Sequence, residues 1–215
     1  MKKLLSLILL LSFTIKAQEI KIGNQTWTTK NLDVTTYRNG DKIPQVKNKK
    51  KWAKLKTGAW CYYENKTAKG TTYGKLYNWY AVNDPRGLAP KGYHIPTDAE
   101  WTILTDYLGG DTIAGTKMKS TSGWDNNGNG SNTSGFAGLP GGYRKSLIRK
   151  SRNGLIRKSR IRLIRKKFNG IGDFGNWWSS SEDGADSAWC RNLNDNVNRY
   201  DDRKLFGFSV RCLRD

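Results

Sequence analysis

The sequence predicts one compact, loop-rich domain built from short strands and helical segments rather than a helical bundle. Its 215 residues include 9 Trp, 10 Tyr and 23 Gly. Short β-forming runs end at Gly or Asn turn signals, whereas helix signals are most complete near the middle of the chain. We therefore expect scattered aromatic side chains to hold short elements and long loops around one core.

Residues 1–17 have the pattern of a secretory signal peptide. Lys2 and Lys3 precede an apolar run over residues 4–15, and Ala17 supplies a small residue for cleavage. The run is too short to span a bilayer comfortably, and no Cys follows it as an attachment point for lipid. We expect a mature single domain over residues 18–215 that is monomeric and has no transmembrane segment. Export would leave it in the periplasm, at the cell surface or secreted.

The first part of the mature chain predicts short strands and turns. Residues 20–22 alternate in polarity, Gly23 begins a turn, and residues 25–29 are rich in β-forming side chains. Residues 47–56 then carry six Lys in ten positions. Such a charge run favours a solvated loop or short helix over a dedicated binding patch.

The strongest helix signal begins at Thr97. Thr97 and Glu100 have the spacing of a capping box, in which each side chain bonds the backbone N–H of the other residue. Trp101, Leu104 and Leu108 then recur at helical spacing, and two glycines follow. The pattern predicts one helix that ends near residue 109.

Three strands are predicted near the C-terminus, at residues 177–181, 187–193 and 206–213. The last strand alternates and places four apolar side chains on one face: Phe206, Phe208, Val210 and Cys212. A polar turn over residues 194–204 is expected to join the last two strands.

This polar turn and its flanks form the first candidate ligand site. Amides and carboxylates concentrated there can bond the hydroxyl groups of a polysaccharide or the surface of a protein, although plain solvated turns favour the same residues. The candidate ligand-binding residues are Asn192, Asn194, Asp195, Asn196, Asn198 and Asp201.

A weaker candidate is a calcium loop at Asp125, Asn127 and Asn129. Oxygen-bearing side chains stand at alternate positions, and Gly130 permits a sharp turn. Phe136 stands where a calcium loop needs a bidentate Glu, so a metal-free turn is favoured and no cofactor is expected.

Residues 144–167 form a basic insert in which an eight-residue unit recurs. The insert holds 12 Lys or Arg and no acid, so it supplies 12 of the formal +20 and leaves +8 elsewhere. An even period and Asn153-Gly154 predict a protruding β-hairpin or a disordered loop. The insert could bind polyanions by counterion release. The candidate residues are Arg149, Lys150, Arg157, Lys158, Arg165 and Lys166.

His94 is the single histidine, which excludes a multi-His metal site. It is expected to be a structural side chain bonded to backbone. Cys61, Cys190 and Cys212 would meet an oxidising compartment after export, which predicts one disulfide and one free thiol. Spacing alone leaves three pairings open.

Seven motifs that occur in order carry a family resemblance. They lie at residues 27–32, 60–63, 73–82, 92–101, 134–144, 177–182 and 207–212. Together they resemble the Fibrobacter succinogenes major paralogous domain, a family of exported bacterial modules, over residues 20–215 apart from the insert.

The resemblance implies an α+β fold: a C-type-lectin-like or sulfatase-modifying-factor-like irregular domain with short twisted antiparallel sheets, one or two helices and long loops. It also favours a disulfide between Cys61 and Cys212, which both lie in family motifs, with Cys190–Cys212 as the alternative. The related formylglycine-generating enzymes use a close cysteine pair, whereas Cys190 and Cys212 are 22 residues apart.

These features are compatible with three functions. The first is an exported, non-enzymatic binding module that recognises a polysaccharide or surface protein through the late polar loops. The second is polyanion binding through the basic insert. The third, a divergent enzyme of the formylglycine-generating type, is the least favoured because the close cysteine pair is missing.

Overall fold

A computed structural model describes residues 18–145 and 167–215. The predicted signal peptide and the repeat units of the basic insert lie outside the described residues. Within them, several short antiparallel sheets accompany a few helices, which confirms the predicted α+β class.

Eleven short strands in the described ranges form four sheets. The strands are β1 (Glu19–Ile22), β2 (Gln25–Thr28), β3 (Trp60–Cys61), β4 (Leu76–Tyr77), β5 (Tyr93–His94), β6 (Gly141–Arg144), β7 (Phe168–Ile171), β8 (Gly175–Glu182), β9 (Ser187–Leu193), β10 (Val197–Arg203) and β11 (Leu213–Arg214). One sheet has the order β1-β2-β11-β5, a second β10-β9-β8, and the pairs β3-β4 and β6-β7 complete the set.

The helices are mostly short. They are α1 (Lys49–Trp52), α2 (Thr67–Tyr73), α3 (Trp79–Val82), α4 (Asp98–Tyr107) and α5 (Asp111–Met118), with a 3-10 turn at Tyr63–Asn65. Among the described residues only α4 and α5 reach eight residues. The family resemblance implied one or two helices, and the three shorter ones are additions to that expectation.

Helix α4 begins where the capping signal predicts. The Thr97 hydroxyl accepts the Glu100 backbone N–H at 3.2 Å, and Glu100 Oε2 accepts the Thr97 N–H at 2.7 Å. Trp101 and Leu104 are fully buried and Leu108 nearly so. The predicted capping box and the predicted core face are both confirmed. Both could be predicted because their signals are local in sequence.

The polar turn predicted over residues 194–204 is wrong in extent. Residues 197–203 form β10, which pairs in full antiparallel register with β9, and only residues 194–196 connect the two strands. β10 is the edge of its sheet, where polar and charged side chains are tolerated on a strand. The polar composition of residues 197–203 therefore suggested a turn, although these residues form a strand by pairing with β9.

The predicted strand at residues 206–213 is mostly irregular. Only Leu213 and Arg214 form a strand, β11, while Phe208 and Ser209 make isolated bridges to Tyr77 and Trp177. The expected apolar face packs together in one core cluster. The opposite face is buried too, with Ser209 2% and Arg211 0% exposed, because the segment passes between sheets.

Neither disulfide pairing is formed, which corrects the prediction. All three cysteines lie within the described residues, buried and unbonded. Cys61 packs in a cluster with Trp52, whereas Cys212 packs in a different cluster with Cys190 and Trp178. The two motif cysteines therefore belong to separate parts of the core.

Candidate functional site

One face of the β8-β9-β10 sheet carries a row of asparagines. Asn176, Asn192 and Asn198 are direct cross-strand partners, one from each strand. Asn192 Nδ2 donates to Asn176 Oδ1 at 2.8 Å, and Asn198 Nδ2 donates to Asn194 Oδ1 at 3.0 Å. Since side chains alternate along a strand, Tyr200 and Asp202 share this face. The row is held in place before any ligand arrives.

An aromatic wall stands across from the asparagine row and closes a cleft of about 280 Å³. The ring centroids of Tyr143 and Phe206 lie 6.1 Å apart, and those of Tyr143 and Phe208 lie 5.9 Å apart. The cleft lining is Tyr143, Phe174, Asn176, Cys190, Asn192, Asn194, Tyr200, Asp202, Phe206 and Phe208. Aromatic surface with a few convergent polar groups is typical of small-molecule sites.

Asn176, which lines this cleft, has a buried hydrogen-bond donor that is unpaired. The residue is 5% exposed, and its Nδ2 has no hydrogen-bond partner among the described residues. Buried polar groups are nearly always paired, because an unpaired one costs about 1–3 kcal/mol. A ligand oxygen in the cleft would complete this amide, so Asn176 is the residue that most directly indicates a binding site.

Asp202 is the one charged side chain in the cleft lining, as far as the described residues extend. Burial raises the pKa of Asp202 to about 6, and the neighbouring Asp201 carboxylate adds to the rise. The Arg203 backbone N–H and its charge act in the opposite direction. At neutral pH the cleft therefore contains a single, poorly compensated negative charge.

The structure brings only part of the predicted ligand set together. Asn192 and Asn194 line the cleft, and Asn198 adjoins them through its bond to Asn194. Asp195 is exposed on the connecting turn, 3.9 Å from Lys119 Nζ. The Asn196 backbone N–H donates to Asn194 Oδ1 at 3.2 Å.

Asp201 belongs to the opposite face of β10, since its cross-strand partner is Trp189. The predicted set also omits Asn176, Asp202 and the aromatic wall. Asn176 precedes Trp177 in a predicted strand, but only the register of β8 with β9 reveals that it adjoins Asn192.

The opposite face of this sheet is occupied by structural contacts. Arg191 Nη1 donates to Asp98 Oδ1 at 2.5 Å, and Arg199 Nε donates to Asp98 Oδ2 at 2.9 Å. The Arg199 guanidinium lies 3.3 Å from the centre of the Trp189 ring. These contacts fix the start of α4 to the sheet, and they direct both arginines away from the cleft.

The predicted calcium residues lie in a loop that uses them for its own backbone. Asn129 Oδ1 accepts the Trp124 N–H at 3.1 Å, and the Asp125 carbonyl accepts the Gly128 N–H at 2.9 Å. Asn127 adopts a left-handed conformation with φ 58°. In residues 18–145 and 167–215, no three His, Cys, Asp or Glu side chains are grouped to hold a metal ion.

The six candidate polyanion residues, Arg149 to Lys166, lie outside the described residues, whereas the insert's flanks are well defined. Strands β6 and β7 pair, and the Lys145 N–H donates to the Lys167 carbonyl at 2.8 Å. Arg144 was expected to open the insert, but it is 1% exposed and its guanidinium lies 4.0 Å from the centre of the Trp52 ring. It belongs to the core, so the insert begins after Arg144.

Through its side chain, His94 bonds two carboxylates rather than backbone, which corrects the expectation. Its side chain is 37% exposed, with Nδ1 2.8 Å from Asp215 Oδ1 and Nε2 3.0 Å from Glu100 Oε1. Partial burial alone would lower the pKa of His94, but the two carboxylates outweigh it and raise that pKa. The histidine therefore links Glu100 of α4 to Asp215, the residue that follows β11.

A larger cavity of about 520 Å³ lies between residues 29–33, α2 and residues 132–139. One of its polar side chains, Asn31, already bonds core groups: Nδ2 donates to the Tyr73 carbonyl, while Oδ1 accepts from Trp177 Nε1 and Arg211 Nε. Volume favours this cavity, whereas the buried and unpaired Nδ2 of Asn176 favours the asparagine-lined cleft.

These features define an α+β domain of short antiparallel sheets with a polar and aromatic cleft beside its edge strand. The model of the Fibrobacter succinogenes major domain matches residues 20–214, and the chain belongs to that family. Comparison with curated proteins and with solved structures gave no significant match. No helix in the described ranges combines the length and apolar character that a membrane span requires.

Proposed function

We propose that the protein is an exported, non-enzymatic binding module that recognises a polysaccharide through the asparagine-lined cleft. The observation that carries the proposal is the unpaired Asn176 donor, buried beside a fixed row of amides. Export, a monomeric state and the lectin-like or sulfatase-modifying-factor-like relationship belong to the same proposal.

The chemistry of the cleft suits hydroxyl-rich ligands. An amide offers both donors and acceptors, as does a sugar hydroxyl, so neighbouring hydroxyls can bond Asn176, Asn192 and Asn194. The apolar face of a sugar ring can pack against Tyr143 or Phe206 across the cleft. Because the amides already bond each other, little side-chain entropy is lost when a ligand binds.

The state of the cysteines supports a non-enzymatic role. Burial raises the pKa of Cys61 to about 11 and that of Cys212 to about 12, and it raises the pKa of Cys190 as well. A thiolate is the reactive and metal-binding form of cysteine, so little of it is present at neutral pH. The formylglycine-generating alternative requires reactive cysteines and is therefore disfavoured.

The binding experiment uses residues 18–215 on an array of neutral and acidic glycans at low and high salt, followed by titration of each hit. Tyr200 is 52% exposed at the cleft rim, and Tyr107 is a matched exposed tyrosine on α4. We expect Asn176→Ala and Tyr200→Ala each to weaken a salt-resistant hit by about tenfold, because each removes roughly one good contact. Tyr107→Ala should leave affinity unchanged.

Thermal unfolding of each variant separates lost binding from lost structure. Retained affinity in both cleft variants, or an equal loss in Tyr107→Ala, would contradict a ligand site in this cleft. Silence of the wild-type chain across the array would leave the polysaccharide proposal without support and favour a protein ligand.

Polyanion binding through the basic insert is a second candidate function. Nine of the chain's basic residues lie in residues 146–166 without any acid. Their attraction for phosphate, sulfate or carboxylate polymers would fall steeply with salt, which distinguishes it from hydrogen bonding in the cleft.

A further inference from the structure

The charge of the cleft opposes that of the chain. The whole sequence carries a formal +20, yet the described cleft lining contains one carboxylate, Asp202, and no Lys or Arg. Arg191 and Arg199 bind Asp98 on the other face of the sheet. Lys204 is 4% exposed and bonds Glu182 and the Ala185 carbonyl. These three basic groups are therefore engaged elsewhere, whereas the exposed Arg203 next to Asp202 offsets its charge only in part.

Asp202 forms no ion pair with any described residue, and the charge of the adjacent Arg203 offsets its own only in part. It takes part in none of the ion pairs found in residues 18–145 and 167–215, and Asp201 beside it adds further negative charge. Lys145 lies over the Tyr143 ring, 5.8 Å from its centre, on the aromatic wall rather than on the sheet. A partly buried carboxylate that has one backbone donor and no ion pair is costly, so a cation delivered by a ligand would be favoured there.

Tyr200 can strengthen the preference of the cleft for a cationic ligand group. It is two residues before Asp202 on the same face of β10 and is 52% exposed at the rim. An ammonium group at Asp202 can form a charge-assisted hydrogen bond, and the face of the Tyr200 ring can add a cation–π attraction. A ligand carboxylate in the same place would meet repulsion instead.

We infer that Asp202 makes this cleft selective for saccharides that carry a primary ammonium group, with neutral saccharides next and acidic saccharides last. The inference rests on the proposed function and names the ligand class for the same site. The asparagine row would bind the hydroxyl groups common to all three classes. Asp202 would attract a cationic group of the saccharide and repel an anionic one.

The test compares three oligosaccharides of equal length by calorimetric titration of residues 18–215 in physiological salt: a glucosamine tetramer, an N-acetylglucosamine tetramer and a galacturonic acid tetramer. For the wild-type chain at neutral pH we expect the amino sugar to bind about tenfold more tightly than the neutral one. Asp202→Asn should remove this difference, so that the amino sugar and the neutral sugar bind the variant with similar affinity. The preference should also shrink as pH falls below about 6.

Asp201→Asn is the matched control, since it makes the same charge change at the adjacent residue on the opposite face. It should keep most of the amino-sugar preference. A lysine tetrapeptide should bind far more weakly than the glucosamine tetramer, and equal binding would overturn a saccharide-specific site.

The outcomes separate the two proposals. Binding of the neutral tetramer without an amino-sugar preference, or a preference that survives Asp202→Asn, would overturn this inference alone. Failure of all three saccharides to bind would overturn the proposed function and the inference with it. Galacturonate binding that persists unchanged in Asp202→Asn and vanishes in high salt would be assigned to the basic insert. Such binding would not support a ligand site in the cleft.

Discussion

Two buried arginines connect parts of the chain that are far apart in sequence. Arg144 Nη1 donates to the Val46 carbonyl at 2.6 Å, and Arg211 Nη1 donates to the Thr28 and Phe136 carbonyls at 2.7 and 2.9 Å. Burial lowers the pKa of Arg211 to about 9, which still leaves it charged at neutral pH. A guanidinium has five donors in a rigid fork, so it can satisfy several carbonyl groups at once. These hydrogen bonds hold separate segments of the chain together. The three cysteines are unbonded and provide no cross-link between such segments.

His94 makes the stability of the domain depend on pH. Its pKa is raised in the folded state, so the protonated form is bound more tightly there than in the unfolded chain. The resulting stabilisation is fully present below the unfolded pKa of about 6.5 and is lost as pH rises through the higher folded value. We expect the melting temperature of the wild-type chain to exceed that of His94→Gln by more at about pH 6 than at about pH 8.5.

Thermal unfolding followed by circular dichroism at the two pH values measures this difference. The chain has one histidine, so the paired comparison cancels other groups that titrate in this range, including the α-amino group. A melting-temperature difference that is the same at both pH values would show that the two carboxylates do not hold the charged form of His94.

At the scale of elements, local signals predicted structure well and pairing-dependent signals did not. The α4 cap depends on Thr97 and Glu100, three residues apart, so a single sequence reveals it. Strand β10 depends on its register with β9, and its polar composition suggested a turn instead. The alternation at residues 206–212 correctly identified the apolar face, but not that the other face is buried around Arg211.

Removal of the α4 cap should measurably destabilise the domain. Thr97→Ala removes the acceptor for the Glu100 N–H, and we expect the free energy of unfolding to fall by about 1 kcal/mol. Thr97→Ser keeps the hydroxyl and should retain most of the stability. Chemical denaturation of the three proteins measures both effects. An equal loss in the Ser and Ala variants would indicate that the Thr97 methyl group, rather than the cap, stabilises the helix.

At the scale of the molecule, the candidate site is an assembly of separate segments. The cleft takes its wall from residues 143, 206 and 208, its amides from β8, β9 and the following turn, and Tyr200 and Asp202 from β10. Two of the predicted residues, Asn192 and Asn194, lie in this cleft. The sequence could indicate them because the concentration of polar residues near the end of the chain is a local pattern. The partnership of Asn176 with Asn192 and the approach of the aromatic wall are set by strand register and chain return, which no local pattern encodes.

The same organisation separates the cleft from the basic insert. All the cleft residues lie within the described ranges, and the insert departs from the paired ends of β6 and β7, where Lys145 and Lys167 already meet. A two-residue Asn-Gly turn can therefore replace residues 146–166 without stretching either strand. We expect the shortened chain to fold with a similar melting temperature and to bind neutral saccharides as tightly as the full chain.

The deletion removes nine basic residues and lowers the formal charge from +20 to +11. Any salt-sensitive binding to heparin or polygalacturonate should therefore be lost, because its driving force is counterion release from closely spaced charges. Titration of both proteins with a neutral and an acidic oligosaccharide at two salt concentrations measures the two effects. Lost binding of the neutral saccharide with an unchanged melting temperature would place the ligand on the insert, since the deletion leaves every cleft side chain in place.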